Sequence, residues 1–165
     1  MTEPPSKAVN YILNKVDSTE GFIECPEDHG IVGFKVTDSK SSIEVALGPD
    51  EEPQFTVNLR IEANLNAVQC SMDLTQPSIV DELQQEIGEK YNKNLEKHIK
   101  TVQKKYGSDV FAFGEALHRR YPKVWKKYRE NWHDKFKNVS IEVNTKIDIR
   151  RIGSIVQPLN EEVSE

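Results

Sequence analysis

Residues Phe55 to Ala67 alternate without a break. Phe55, Val57, Leu59, Ile61, Ala63, Leu65 and Ala67 are separated by Thr56, Asn58, Arg60, Glu62, Asn64 and Asn66. Period two held over thirteen residues suits an extended strand with one dry and one wet face. A helix would scatter the same apolar residues around its circumference. The predicted strand runs from Gln54 to Val68. A second long alternation closes the chain, from Val139 to Ile152, with Ile141, Val143, Thr145, Ile147 and Ile149 on one side. Their shared length and period predict that the two strands lie in one antiparallel sheet.

Between them the period changes. From Ser78 to Tyr106, Ile79, Leu83, Ile87, Tyr91, Leu95, Ile99 and Val102 follow steps of three or four, which is a single stripe on a helix. Pro77 and Ser78 mark its start, Asp81 and Glu82 suit the positive end of the dipole, and Gly107 is a natural stop. At 1.5 Å per residue this helix is about 43 Å long, matching the long strands, and it is expected to cross the buried face of the sheet. Two shorter helices follow. The first opens at Ser108 and Asp109 and carries Val110, Phe113, Ala116 and Leu117. Pro122 resets the direction, and the second runs from Lys123 to Phe136 with Val124, Trp125, Tyr128, Trp132 and Phe136 facing inward. Trp125 is expected to be buried.

The front of the chain is less regular. Ser6 to Val16 predicts a short helix with Ala8, Tyr11, Ile12 and Val16 on one face. Gly21 to Gly30 reads as irregular. Ile31–Val36 and Ser42–Leu47 read as two strands joined by turn chemistry at Thr37 to Ser41, and Gly48 to Pro53 is a break. The fold class is α+β: an antiparallel or mixed β-sheet with a long helix and two shorter helices packed on one face. The organisation is an N-terminal helix and irregular arm over residues 1–30, a domain over 31–153, and a flexible polar tail over 154–165.

A chain of 165 residues can bury a core without staples. Its 36% apolar and 30% charged content fits long solvated faces, and the periodicity excludes disorder. The net charge of −5 conceals an asymmetry. Residues 1–60 carry 5 basic and 11 acidic side chains, whereas residues 118–137 carry 8 basic and 2 acidic ones. The two segments pair within the fold, or the basic one faces an acidic partner. Arg119, Arg120, Lys123, Lys126 and Lys127 crowd the turn between the two short helices, with only Glu115 and Glu130 close in sequence. These five are the candidate contact residues for a partner or an anionic lipid surface. Nucleic acid is disfavoured. The aromatics Trp125, Tyr128, Trp132 and Phe136 recur at helical spacing, which makes them core residues before stacking platforms, and the pI is near 5.5.

No nucleophile, phosphate-loop or zinc-protease pattern is present. Cys25, Glu27, Asp28 and His29 form a loose cluster without the second ligand pair of a structural zinc site, so no metal and no cofactor is expected. His98, His118 and His133 fall on predicted helices without a nucleophile beside them, and no catalytic residue is expected. Cys25 and Cys70 do not define a disulfide framework, and they bridge only if folding brings them together.

The stretch Gly107 to Gly153 has a specific texture. Tyr106 precedes Asp109-Val-Phe-Ala-Phe-Gly114; His118-Arg-Arg-Tyr-Pro122 leads into Trp125 and a second Trp132; the closing strand ends in Ile149-Arg-Arg-Ile-Gly153. This resembles the C-terminal domain of the spore germinant-receptor C subunits, the Ger(x)C or GerAC-type lipoproteins. The resemblance is strong from about Lys104 to Gly153 and weaker upstream through the long helix and strand to Ile31.

It implies a non-enzymatic interaction domain of a nutrient germinant receptor, acting with a membrane A subunit and a multi-pass B subunit in spore germination. It implies a place on the outer face of the spore inner membrane. Such C subunits begin with a lipoprotein signal, a lipidated cysteine and two further domains. Met1-Thr-Glu-Pro-Pro is polar and is expected to be no signal, so the chain reads as an excised domain or a short relative. The alternative function is a small-ligand-binding or carrier domain using a groove between the sheet and the long helix.

Overall fold

The computed structural model describes residues 5–16, 18–25 and 29–152. Four strands form one sheet in the order β1-β2-β3-β4. They are β1 (Thr19–Glu24), β2 (Ile31–Leu47), β3 (Pro53–Val68) and β4 (Ser140–Ile152). The helices are α1 (Pro5–Ile12), α2 (Pro77–Lys105), α3 (Phe113–Arg120), α4 (Pro122–Tyr128) and α5 (Trp132–Phe136). The chain divides into two compact units, one of residues 1–15, 40–59 and 89–145, the other of 16–39, 60–88 and 146–165.

The class is α+β, as the patterns predict, and β3 and β4 are neighbours. Their direction differs from expectation. Arg60 pairs with Asp148 at 2.9 Å and Glu62 with Arg150 at 2.7 Å, so the numbering of the two strands rises together. β4 is therefore parallel to β3, and the sheet is mixed. The physical reason is the connection: a crossover through helices returns the chain to the end of the sheet where the earlier strand began.

β1 is antiparallel to β2, from Thr19 against Val36 to Glu24 against Ile31. It runs into the segment from Gly21 that reads as irregular, because Gly21 and a lone Ile23 give too weak an alternation to mark a strand. Gly21 is required there by a close approach: a Cβ would sit 2.6 Å from the Phe34 ring. β2 is a single strand of 17 residues and not two. The expected turn at Thr37 to Ser41 is instead a change of phase. Val32, Phe34 and Val36 are buried, Thr37 and Asp38 are both exposed, and burial resumes at Ser39. Pairing with β3 overrides the local turn chemistry, and the Thr37 hydroxyl donates to the Glu62 carbonyl at 3.3 Å. A 3-10 turn at Pro49–Glu51 closes the β2–β3 hairpin.

In the second unit Ile23, Val32, Phe34, Val36, Ile61, Ala63, Leu65, Leu83, Ile87 and Ile147 are buried. Cys25 and Cys70 are joined there as a disulfide with Cα atoms 6.2 Å apart, which settles the open question of their pairing. Ahead of α2, Asp73 accepts hydrogen bonds from Thr75 and Gln76. The Thr75 hydroxyl, above all, holds this carboxyl below its ordinary value. Pro77 itself is the first helical residue, a position that needs no N–H.

In the first unit α1 ends at Ile12, short of the expected Val16, and Ser6 lies inside it. Tyr11 stands edge-on to Tyr91 at 5.5 Å. Gln103 is 5% exposed, and its amide donates to the carbonyls of Phe136 and Val139 at 2.8 and 3.1 Å. Gly107, with φ of 61°, ends α2 by donating to the Val102 carbonyl. The region from Ser108 to Ala112 is not helical, so α3 begins four residues later than predicted. The expected helix Lys123 to Phe136 is broken by a 3-10 turn at Arg129–Asn131, giving three short helices in place of two.

Candidate functional site

The turn between α3 and α4 is built by packing on one side and charge on the other. Gly114 is buried; a Cβ there would meet Trp132 at 2.8 Å and Trp125 at 2.9 Å, so its absence lets both indoles close over the helix. Trp132 is buried and donates from Nε1 to Asp109 at 2.9 Å. Trp125 is only half-buried, contrary to expectation: it stacks on the exposed His118 ring at 5.9 Å and stands edge-on to Trp132 at 5.5 Å. The aromatic spacing along α4 and α5 thus serves the core at Trp132 and Phe136 and the rim at Trp125.

All five candidate residues, Arg119, Arg120, Lys123, Lys126 and Lys127, are exposed. The structure does not leave them equivalent. Lys127 pairs with Glu51, and Lys135 pairs with Glu52 at 2.6 Å while lying over the Tyr128 ring at 4.9 Å. The acidic break between β2 and β3 therefore neutralises part of the basic segment, as one of the two readings of the charge asymmetry has it. Sequence distance hid this: Glu51 lies 76 residues from Lys127. Arg120 rests over the Tyr121 ring at 4.8 Å. Among the described residues no carboxylate forms an ion pair with Arg119, Arg120, Lys123 or Lys126. Arg119 and Arg120 also end α3, where cations suit the negative end of the dipole.

These arginines border a depression of about 460 Å³ lined by Ile43, Glu44, Val45, Ala116, Arg119 and Arg120. Ile43 and Val45 were not singled out from the sequence, although their alternation with Glu44 and Ala46 was visible. This groove lies between β2 and α3 and takes no lining residue from α2.

Asp109 resembles a candidate base only until its bonds are counted. It accepts from the N–H of Phe113 at 3.1 Å, from Gly114 at 2.7 Å and from Trp132 Nε1. It is a helix cap. Of the loose cluster at Cys25, Cys25 is committed to the disulfide, Glu27 and Asp28 lie outside the described residues, and His29 is exposed. His98 is half-buried and His133 exposed. No metal-ligating group of three or more such side chains occurs among the described residues. No helix among them is long and apolar enough to cross a membrane.

A mixed sheet with a long helix, a three-part helical segment closed by an Asp–Trp contact, and a cationic turn define an α+β domain of a recognisable kind. The chain belongs to the spore germination B3/GerAC-like C-terminal family, whose model matches residues 1–153. Among curated relatives it is similar to spore germination protein KC of Bacillus subtilis (strain 168), 22% identical over 94% of this chain and 38% of that protein. It is also similar to spore germination protein YndF of the same organism, 26% identical over 61% of this chain and 25% of that protein. The crystal structure of the GerBC protein shares its fold, with a TM-score of 0.77 at 14% identity, over 88% of this chain and 44% of that one. The chain spans less than half the length of each of these relatives.

Proposed function

We propose that this domain is a non-enzymatic interaction module of a nutrient germinant receptor, acting in spore germination in contact with the receptor's membrane A and B subunits. The reading rests on the family match across residues 1–153. It is supported by the site's chemistry. Asp109, which accepts three hydrogen bonds, is spent on capping α3 and holding Trp132. What the surface offers is charge: Arg119, Arg120, Lys123 and Lys126 stand exposed without a carboxylate partner among the described residues. Such a cluster favours an acidic protein surface or anionic headgroups and makes association sensitive to salt. The location that goes with this reading is the outer face of the spore inner membrane.

The test is a pull-down of the A and B subunits, solubilised in detergent, on this domain and on a variant with all four residues changed to Gln. Retention of either subunit by the parent, weakened by the variant and by added salt, is expected. Retention of neither subunit at low salt overturns the reading, and retention that ignores both charge and salt removes the basic turn from it.

A further inference from the structure

β2 is covered unevenly along its outer edge. β1 pairs with it only from Ile31 to Val36. Further along, the Asn14 side-chain amide takes a strand's place at one residue. The Ser41 N–H donates to Asn14 Oδ1 at 2.7 Å, and Asn14 Nδ2 donates to the Ser41 carbonyl at 3.2 Å. The Ser41 hydroxyl also donates to the Ile12 carbonyl at 2.7 Å. These bonds show which way the backbone of Ser41 points. By the period of two, the N–H and C=O groups of Ile43, Val45 and Leu47 point the same way, outward. Among the described residues no strand pairs with them there.

This open edge faces a helix across a groove. Ile43, Val45 and Ala116 give it an apolar floor, Arg119 and Arg120 a cationic side, and Glu44 the single carboxylate. An edge strand beside a helix, with unpaired backbone groups along one wall, is the arrangement by which a sheet accepts an added strand. The two guanidiniums, with Lys123 exposed at the start of α4, select the sign of the occupant's charge. We infer that the β2 edge from Ile43 to Leu47 docks an extended acidic segment of a partner protein as a fifth strand, its backbone paired with β2 and its carboxylates set against Arg119 and Arg120. This inference goes beyond the receptor reading, because it names the chemistry and conformation of the bound segment and not the protein that carries it.

The probe is a fluorescein-labelled nonapeptide of alternating glutamate and valine, compared with the same peptide N-methylated throughout, which can no longer donate to a strand. We expect the unmodified peptide to bind with Kd below about 1 mM by anisotropy. It should slow hydrogen exchange at the amides of Ile43, Val45 and Leu47, and the N-methylated peptide should lose binding. Arg119→Gln with Arg120→Gln should weaken binding about tenfold, and more salt should weaken it further. Val45→Pro, tolerable on an outer edge, should abolish it with the far-UV spectrum unchanged. Absence of binding below that limit overturns the proposal. So does binding without protection at Ile43 to Leu47, or equal binding of the N-methylated peptide, since either reduces the effect to charge alone. A dimer that already protects these three amides in the probe-free protein makes the occupant a second copy of the chain and equally overturns it.

Discussion

Trp132 donates its indole N–H to the carboxylate of Asp109 at 2.9 Å, across 23 residues, while the same carboxylate caps the first turn of α3. One side chain thus sets where α3 begins and where the helical segment after Pro122 packs against it. Asp109→Ala removes a cap and leaves a buried indole N–H unpaired. The two terms are worth about 1 kcal/mol and about 1–3 kcal/mol. We expect Asp109→Ala to lower stability by about 2–4 kcal/mol in urea unfolding, and Asp109→Asn, which keeps an acceptor, to lower it by less than half as much.

The two tryptophans should separate by their burial. Trp132 is 8% exposed and should cost about 3–5 kcal/mol when changed to Ala. Trp125 is half-buried and open on the His118 side, so Trp125→Ala should cost less than Trp132→Ala in the same unfolding assay. Gly114→Ala forces a methyl between the two indoles and should cost about 1–3 kcal/mol by overpacking. Equal losses at Trp125 and Trp132 would show that exposure does not separate their roles.

The Cys25–Cys70 bond spans 45 residues of sequence. A cross-link of that span constrains the unfolded chain enough to be worth about 2–4 kcal/mol. Cys25→Ser together with Cys70→Ser should lower the melting temperature by several degrees, and a reducing agent should do the same to the parent and nothing further to the variant.

The surface ion pairs should matter little to folding. Lys127 and Glu51 are both half exposed or more, and such pairs contribute about 0–1 kcal/mol. Glu51→Gln should therefore leave the unfolding midpoint nearly unchanged. It also frees Lys127, so binding to vesicles containing anionic lipid should strengthen at low salt and converge with the parent at high salt.

Much of this molecule was legible in its residues. The period-two run from Phe55 to Ala67 defined β3, the seven-point stripe from Ile79 to Val102 defined α2, and Gly107 ended that helix as its φ requires. These are local patterns, written in spacing and in the conformations single residues tolerate. The Asp109-to-Gly153 texture likewise carried the family. What eluded the sequence was decided by partners distant along the chain. β2 stays one strand through Thr37 to Ser41 because β3 and the Asn14 amide satisfy its backbone, although its own residues favour a turn.

The parallel sense of β4 was not in its alternation, since a strand's period is the same whichever way its neighbour runs. Only the crossover and the Arg60–Asp148 and Arg150–Glu62 pairs decide it. The same holds for the site. The sequence determined that Arg119 to Lys127 would form an exposed cationic turn, because charge along the chain is local information. Tertiary structure alone decided that Glu51 answers Lys127 and that Ile43 and Val45 line a groove with Arg119 and Arg120, because contacts between residues 76 apart come from folding and leave no mark in local spacing.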